Sequence, residues 1–186
     1  MIRSFFAIEP PPQVRDEIAR VSGLFRNTGA DVKWVRPESV HLTLKFLGDV
    51  DEADIEPLAQ AVGKAVAAHK SVELGIKGLG VFPGLRKPRV VWIGLGGNID
   101  GLKTLQQSVE TAAAEFGFEP EKRSFKAHLT LGRIRSNRGQ NQLMAALETI
   151  KPEPKAFTAS EVIMFKSDLK PTGAVYTVMH RLPLSG

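Results

Sequence analysis

The chain has 186 residues, of which 42% are hydrophobic and 24% charged, with a formal net charge of +5 at pH 7 and an isoelectric point near 9.6. This composition is typical of a soluble globular domain that buries about 70% of its unfolded surface, and it excludes a disordered or fibrous chain. The absence of cysteine excludes disulfide bonds, a thiolate nucleophile and a cysteine-based zinc site.

Apolar residues do not form a run long enough to span a membrane, which requires about 18 residues. The first ten residues contain a charge and a proline too early for a secretory signal. We therefore expect a cytoplasmic protein without a membrane segment.

The first part of the chain alternates strand and helix patterns. Residues 2–9 predict a strand that ends at Pro10-Pro11-Pro12, and a helix follows with apolar residues at helical spacing. Its predicted apolar stripe is Val14, Ile18, Val21 and Leu24. We expect further strands at 33–35, 41–47, 72–76 and 89–95, and a helix that begins at Asp51 and Asp54.

The second part repeats this order. An amphipathic helix is predicted over 102–116, then a strand that begins near His128, a short helix over 143–150 and strands at 159–165 and 175–182. One histidine-bearing strand in each half, near long amphipathic helices, indicates an α+β fold of two related lobes. We expect a single bilobal domain, 1–186, with approximate halves 1–96 and 97–186.

A tetrapeptide is repeated letter for letter: His41-Leu42-Thr43-Leu44 recurs as His128-Leu129-Thr130-Leu131. A given histidine begins such a run by chance about once in a thousand, yet two of the four histidines do. Because side chains alternate along a strand, His and Thr share one face of each copy. Strict alternation predicts that Leu42, Leu44 and Phe46 lie on the opposite face.

Two imidazoles that lie opposite each other favour proton transfer over the other chemistries of histidine. Neither copy has a second histidine or a carboxylate at ligand spacing on its face, and a Gly-x-Ser-x-Gly nucleophile motif is absent. One imidazole can serve as base and the other as acid near neutral pH. In-line displacement at phosphorus needs this division, and threonine hydroxyls and a guanidinium can hold the phosphate.

Basic residues cluster around these motifs and favour a polyanionic substrate, although a solvated basic surface explains them nearly as well. One group is Arg86, Lys87 and Arg89, and the other is Lys122, Arg123, Lys126, Arg133, Arg135 and Arg138. The remaining histidines, His69 and His180, have no partner motif, and we expect them to be structural or surface residues.

The paired motifs resemble those of the two-histidine phosphoesterases, the 2H superfamily. The resemblance extends from Arg3–Ile8 through Lys33–Gly48 and Phe82–Trp92 to Phe125–Arg133, and thus over nearly the whole chain. These blocks resemble the branch of bacterial and archaeal RNA 2′,3′-cyclic phosphodiesterases, historically called 2′-5′ RNA ligases. The resemblance implies two pseudo-symmetric lobes, each an antiparallel sheet with helices outside, and an active-site cleft between the sheets.

The resemblance also implies metal-independent hydrolysis of an RNA 2′,3′-cyclic phosphate to a 2′-phosphomonoester, without a cofactor. By position, His41 is the proton donor, His128 the proton acceptor, and Thr43 and Thr130 hold the phosphate. Arg133 matches an arginine found after the second motif, although strict alternation turns it away from His128. A twist or bulge near Gly132 would correct its direction.

Another difference from the family pattern is Ala127, which occupies a position where the family often has proline, so we expect a less rigid entry to that strand. Three alternatives to cyclic phosphate hydrolysis remain open. They are 2′-5′ RNA end joining by the same site, a cyclic phosphodiesterase of small nucleotides, and a non-catalytic RNA-binding module that uses Arg86, Arg89 and Arg135. In each case we expect a monomer whose partner is RNA or a cyclic-phosphate nucleotide.

Overall fold

A computed structural model describes residues 1–171 and 173–186. The described residues form nine strands and four α-helices. In chain order these are β1 (Ile2–Ile8), α1 (Pro12–Arg26), β2 (Val32–Trp34), β3 (Leu42–Val50), α2 (Glu52–Val66), β4 (Val72–Phe82), β5 (Val90–Gly97), α3 (Ile99–Ala114), β6 (His128–Ile134), α4 (Gln140–Thr149), β7 (Ala156–Ala159), β8 (Glu161–Lys170) and β9 (Gly173–Pro183). None of these helices combines the length and the apolar character that a membrane span requires.

The strands form two antiparallel sheets, as expected for the predicted α+β class. One sheet has four strands in the order β3-β1-β8-β9, and the other has five in the order β2-β6-β5-β4-β7. The sheets do not coincide with the predicted halves 1–96 and 97–186. Strands β2, β4 and β5 come from the first half but pair into the sheet of β6, while β8 and β9 complete the sheet of β3.

The helices pack on the outer faces of the sheets. Phe25 of α1 stacks on Trp34 of β2 with ring centroids 6.0 Å apart, which ties α1 to the five-stranded sheet. Helices α2 and α3 contact each other, and they contact β9 and β3 of the four-stranded sheet, respectively. The predicted apolar stripe of α1 is corrected at its end, because Leu24 is 41% exposed and Phe25 is buried instead.

The four-stranded sheet buries apolar side chains on both faces. Phe6 and Ile8 belong to the main core beneath the helices, whereas Phe5 packs in a separate cluster with Phe165 and Tyr176. Since side chains alternate along β1, this second cluster lies on the face that turns away from the helices. Strand β3 contacts β6, so the seam between the sheets runs beside both histidine motifs.

Candidate active site

His41 lies between a 3₁₀ turn, Pro37–Ser39, and the first residue of β3. Its Nδ1–H donates to the carbonyl oxygen of Ser39 at 3.0 Å, and Nε2 has no hydrogen-bond partner among the described residues, so it is the nitrogen that can serve a substrate. The ring packs against Phe165 and Tyr176, with centroids 4.4 and 5.3 Å away. These contacts fix the orientation of the imidazole on the helix-free face of the four-stranded sheet.

His128 is the first residue of β6 and is held in the same way. Its Nδ1–H donates to the carbonyl oxygen of Lys126 at 2.7 Å, again two residues earlier in the chain. Phe82 packs against the ring edge-on at 4.9 Å, and Trp92 lies 6.4 Å away. When neutral, both motif histidines therefore have the same tautomer, and in either protonation state both present Nε2.

Ala127 is hydrogen-bonded to the neighbouring strand at the entry to β6. Its carbonyl oxygen accepts a hydrogen bond from the backbone N–H of Leu95 at 3.1 Å, and His128 pairs with Gly94 in the next strand. The strand pairing thus begins before the histidine. A proline at position 127 would keep the same carbonyl acceptor, so the less rigid entry expected with alanine stays a prediction.

The two motif threonines lie on the same faces as their histidines. Thr43 is exposed and Thr130 is partly exposed, while Leu42 and Leu129 beside them are buried. The predicted alternation therefore holds over each tetrapeptide. Each sheet presents one imidazole and one hydroxyl outside the apolar core.

A β-bulge interrupts β6 at the last residue of the second tetrapeptide. Thr130 pairs with Trp92 and Gly132 pairs with Val91, so Leu131 is an extra residue opposite β5. A bulge of this kind places two consecutive side chains on the same side of the sheet and reverses the alternation that follows. The register thus changes at the position where the sequence suggested a distortion.

The bulge turns Arg133 towards the face of His128. Leu131 and Gly132 are both buried, and Arg133 is exposed. Burial lowers the pKa of His128 most, and the positive guanidinium of Arg133 lowers it further. Burial raises the pKa of Tyr176, and the same guanidinium partly opposes that increase. Arg133 of one sheet thus acts electrostatically on Tyr176 of the other.

The first tetrapeptide ends in the same distortion. Phe6 pairs with Lys45 and Ala7 pairs with Thr43, which makes Leu44 the extra residue of β3. The equivalent bulges extend the internal symmetry beyond the four repeated letters. They also place the residue five positions after each histidine on the histidine's own face.

This bulge corrects the predicted direction of Phe46. Phe46, expected on the core side, is 50% exposed and lies under the guanidinium of Arg3, 4.6 Å from the ring centroid. Lys45 is buried instead, and its Nζ donates to Glu110 Oε2 and to the carbonyl oxygen of Glu119, each at 2.6 Å. Phe46 thus occupies the position in β3 that Arg133 occupies in β6.

The electrostatic surroundings of the two imidazoles differ. Burial is the largest influence on both and lowers the pKa of each, and the carbonyl hydrogen bond at Nδ1 opposes it. The Glu9 carboxylate raises the pKa of His41 and Arg15 partly offsets that effect, whereas Arg133 lowers the pKa of His128 further. Nearby charge therefore favours the protonated form more at His41 than at His128.

A cavity of about 260 Å³ opens beside His41. Its walls include the rings of Phe165 and Tyr176 and the charged side chains of Glu9 and Arg36. Sequence patterns did not identify these neighbours, because each lies far from the motif along the chain or carries no motif of its own. The only available signal was that Tyr176 is the single tyrosine of the sequence.

The other two histidines are held by structural contacts. The ring of His69 forms a 2.8 Å hydrogen bond with Ser108 Oγ, and His180 Nε2 lies 3.5 Å from a carboxylate oxygen of Glu56. The part of the chain that the structure describes contains no group of three or more His, Cys, Asp or Glu side chains able to hold a metal ion.

Comparison with known proteins identifies the family to which this site belongs. The family model of LigT-like phosphoesterases matches residues 8–92 and 94–176, a segment for each histidine motif. The chain belongs to the LigT-like phosphoesterase family. This confirms the family, the α+β fold and the enzyme class that the sequence predicted.

Known proteins are similar to the chain over nearly its whole length. The RNA 2′,3′-cyclic phosphodiesterase of Methanothermobacter thermautotrophicus is 35% identical over 179 residues, which cover 96% of each chain. A crystal structure from Thermus thermophilus has a TM-score of 0.80 at 25% identity and covers 99% of this chain and 98% of its own. E. coli LigT complexed with 3′-AMP has a TM-score of 0.77 at 26% identity, and the match covers 100% of this chain and 99% of the LigT chain.

Proposed function

We propose that the protein hydrolyses RNA ends that carry a 2′,3′-cyclic phosphate and leaves a 2′-phosphomonoester. The observation that carries this proposal is that the two imidazoles are held by equivalent hydrogen bonds. Each is fixed through Nδ1 by a carbonyl oxygen two residues earlier, and each keeps Nε2 free. The name of the relative from M. thermautotrophicus supports the same substrate class.

In the proposed reaction, water attacks phosphorus and the bond from phosphorus to the 3′ oxygen breaks. Nε2 of neutral His128 accepts a proton from the attacking water, and Nε2 of protonated His41 donates a proton to the leaving 3′ oxygen. The protonation states of the two histidines are then exchanged, and proton exchange with solvent restores them. Each transfer contributes about 10²- to 10⁴-fold to the rate.

The charges around the two rings support this assignment of roles. An acid must be protonated before the reaction, and the negative Glu9 favours protonated His41. A base must be neutral, and the positive Arg133 favours neutral His128. The two tetrapeptides are identical in sequence, so their surroundings distinguish the acid from the base.

The other polar side chains of the two motifs would hold the phosphate. The hydroxyls of Thr43 and Thr130 can donate to the nonbridging oxygens, and the Arg133 guanidinium can offset the charge that develops in the transition state. Because these groups supply the electrostatic stabilisation, we propose that the reaction needs no metal ion or cofactor. We further propose that residues 1–186 act as one bilobal domain and as a monomer.

The test uses an oligoribonucleotide with a 2′,3′-cyclic phosphate terminus, incubated with the protein in the presence of EDTA. We expect a 2′-phosphomonoester, identified by mapping the phosphate on the terminal ribose. His41→Ala and His128→Ala should each lower the rate by about 10²- to 10⁴-fold. The matched controls are His69→Ala and His180→Ala, which remove histidines from structural positions and should retain turnover.

Several results would contradict this proposal in different ways. Undiminished turnover by either motif variant would refute the histidine mechanism, and loss of activity in EDTA would refute metal independence. An excess of 2′-5′ joined product at low RNA concentration would assign end joining as the main reaction. Turnover of cyclic mononucleotides alone would restrict the substrate class to small nucleotides.

A further inference from the structure

A second cavity, which we call the basic cavity, lies at the end of β6 opposite to His128. It has a volume of about 330 Å³ and is bounded by the loop between β4 and β5 and by the segment that leads from β6 into α4. Its lining residues are Arg86, Lys87, Pro88, Arg89, Ile134, Ser136, Asn137 and Gln140. Among the described residues, its lining contains three cations and no carboxylate.

The three cations of the basic cavity are not neutralised by neighbouring side chains. Within residues 1–171 and 173–186, Arg86, Lys87 and Arg89 take part in no ion pair and donate no side-chain hydrogen bond. By contrast, Arg20 and Arg123 form ion pairs with carboxylates two or three residues away. The cavity therefore keeps its positive charge available for an anion.

The opposite wall of the basic cavity supplies polar donors. Asn137 and Gln140 line it, and Gln140 is the first residue of α4, whose N-cap, Gly139, provides no side-chain cap. A helix N-terminus carries partial positive charge and free backbone N–H groups, which favour a phosphate. Ser136 Oγ donates to the Asp31 carboxylate at 2.7 Å, so the hydroxyl proton of Ser136 is already engaged and is not one of these donors.

Strand pairing connects the basic cavity to the candidate active site. Val90, the residue after the loop, pairs with Arg133, and Lys33 of β2 pairs with Arg133 on the other side. Residues that pair directly share a face at about 5 Å, so Lys33 and Arg133 form a short row of exposed cations. Phe82, the residue before the loop, packs against His128.

The separation of the two sites decides which ligand reaches both. Thr130 and Ser136 lie six positions apart in the chain, which is extended as far as Ile134 except at the bulge, so this separation is at most about 20 Å. A mononucleotide bound at the histidines does not extend that far, whereas a single-stranded RNA of several nucleotides does. Backbone phosphates along such a strand repeat at regular intervals and carry one negative charge each.

We propose that the basic cavity binds a backbone phosphodiester of the RNA strand, several nucleotides on the 5′ side of the terminal cyclic phosphate. This inference rests on the proposed function and adds to it a preference for oligonucleotides over mononucleotides. Arg86, Lys87 and Arg89 bind the phosphate oxygens, and the N-terminus of α4 faces them. Recognition is independent of sequence, because phosphate contacts carry no base information.

The test compares a 2′,3′-cyclic mononucleotide with an oligoribonucleotide of about ten nucleotides that ends in the same group, a length within the usual range of single-strand sites. The variant is Arg86→Ala/Lys87→Ala/Arg89→Ala. We expect it to raise KM for the oligonucleotide about tenfold at low salt and to leave KM for the mononucleotide and both kcat values unchanged. Its log–log salt slope for the oligonucleotide should fall by about 0.7 for each lost contact.

The matched control is Lys64→Ala/Lys70→Ala/Lys103→Ala, which removes the same charge from exposed positions near the helices of the other sheet. Equal effects of the two triple variants, or a KM change shared by both substrates, would overturn the proposal. If wild-type protein hydrolyses neither substrate, the proposed function fails. Binding of a labelled oligonucleotide that ends in a 2′-phosphate then tests the cavity alone, and an unchanged salt slope in the triple variant would overturn it.

Discussion

At the residue scale, the function of each histidine depends on which of its ring nitrogens is hydrogen-bonded to a neighbouring residue. His41 and His128 are bound through Nδ1 by backbone carbonyls, so Nε2 remains free, whereas the ring of His69 is bound through Nε2 by Ser108. The repeated tetrapeptide predicted which two histidines share a role. It could not predict their tautomer, because that depends on backbone geometry at Ser39 and Lys126.

The direction of Arg133 leads to a prediction for a single side chain. Arg133→Gln should lower kcat/KM for a 2′,3′-cyclic mononucleotide about 10²-fold, because it removes the cation that offsets charge in the transition state. Arg133→Lys should recover part of this loss, since it keeps the charge but not the bidentate fork. Steady-state kinetics of both variants provide the measurement.

The control for Arg133 is Arg135→Gln, the same change two residues further along the chain, at an exposed position. It should leave mononucleotide hydrolysis near the wild-type value. Equal losses in the two variants would mean that general charge, rather than the position of Arg133 after the bulge, controls the rate.

At the element scale, hydrophobic periodicity predicted most helices and strands, but strict alternation failed at the two bulges. An extra residue at Leu44 buries Lys45 and exposes Phe46, although strict alternation predicted Phe46 on the core side. A bulge is decided by pairing with a neighbouring strand, and that partner lies far away in sequence. In β6, the glycine at position 132 was the sequence signal for a distortion. The structure shows why a glycine lies there, because an added Cβ would lie 2.6 Å from Val32 Cγ1.

The bulge in β3 creates a buried ion pair that links it to α3 and to the segment before β6. Lys45→Met should lower the free energy of unfolding by about 3–5 kcal/mol, because it leaves the Glu110 carboxylate buried without its cation. The double variant Lys45→Met/Glu110→Leu should lose less of the free energy of unfolding, since no unpaired charge remains buried. Equilibrium urea denaturation measures both, and a double variant less stable than Lys45→Met would contradict this account.

At the scale of the whole molecule, the repeat in the sequence corresponds to two sheets but not to two halves of the chain. Strands β8 and β9 join the sheet of His41, and β4 and β5 join the sheet of His128. Local patterns predict that a strand exists, whereas its partners depend on long-range packing that periodicity does not encode. Each sheet therefore contains strands from both halves of the chain, and one continuous apolar core extends across both sheets.

The same arrangement gives the two equivalent imidazoles different charged neighbours. Glu9 follows β1 of the four-stranded sheet and acts on His41, while Arg133 belongs to β6 and acts on His128. Burial lowers the pKa of both rings. A reaction that needs protonated His41 and neutral His128 should therefore be fastest on the acid side of about 6.5, the ordinary histidine pKa.

The pH dependence of kcat/KM for a 2′,3′-cyclic RNA end, in wild type and in His41→Asn and His128→Asn, tests this pairing most directly. We predict a bell for wild type with its maximum below about pH 6.5, which reports the macroscopic pKa values of the coupled pair. His41→Asn should lose the alkaline limb and His128→Asn the acidic limb, each with a rate about 10²- to 10⁴-fold lower. A bell that survives in either variant, or a monotonic wild-type profile, would contradict the account.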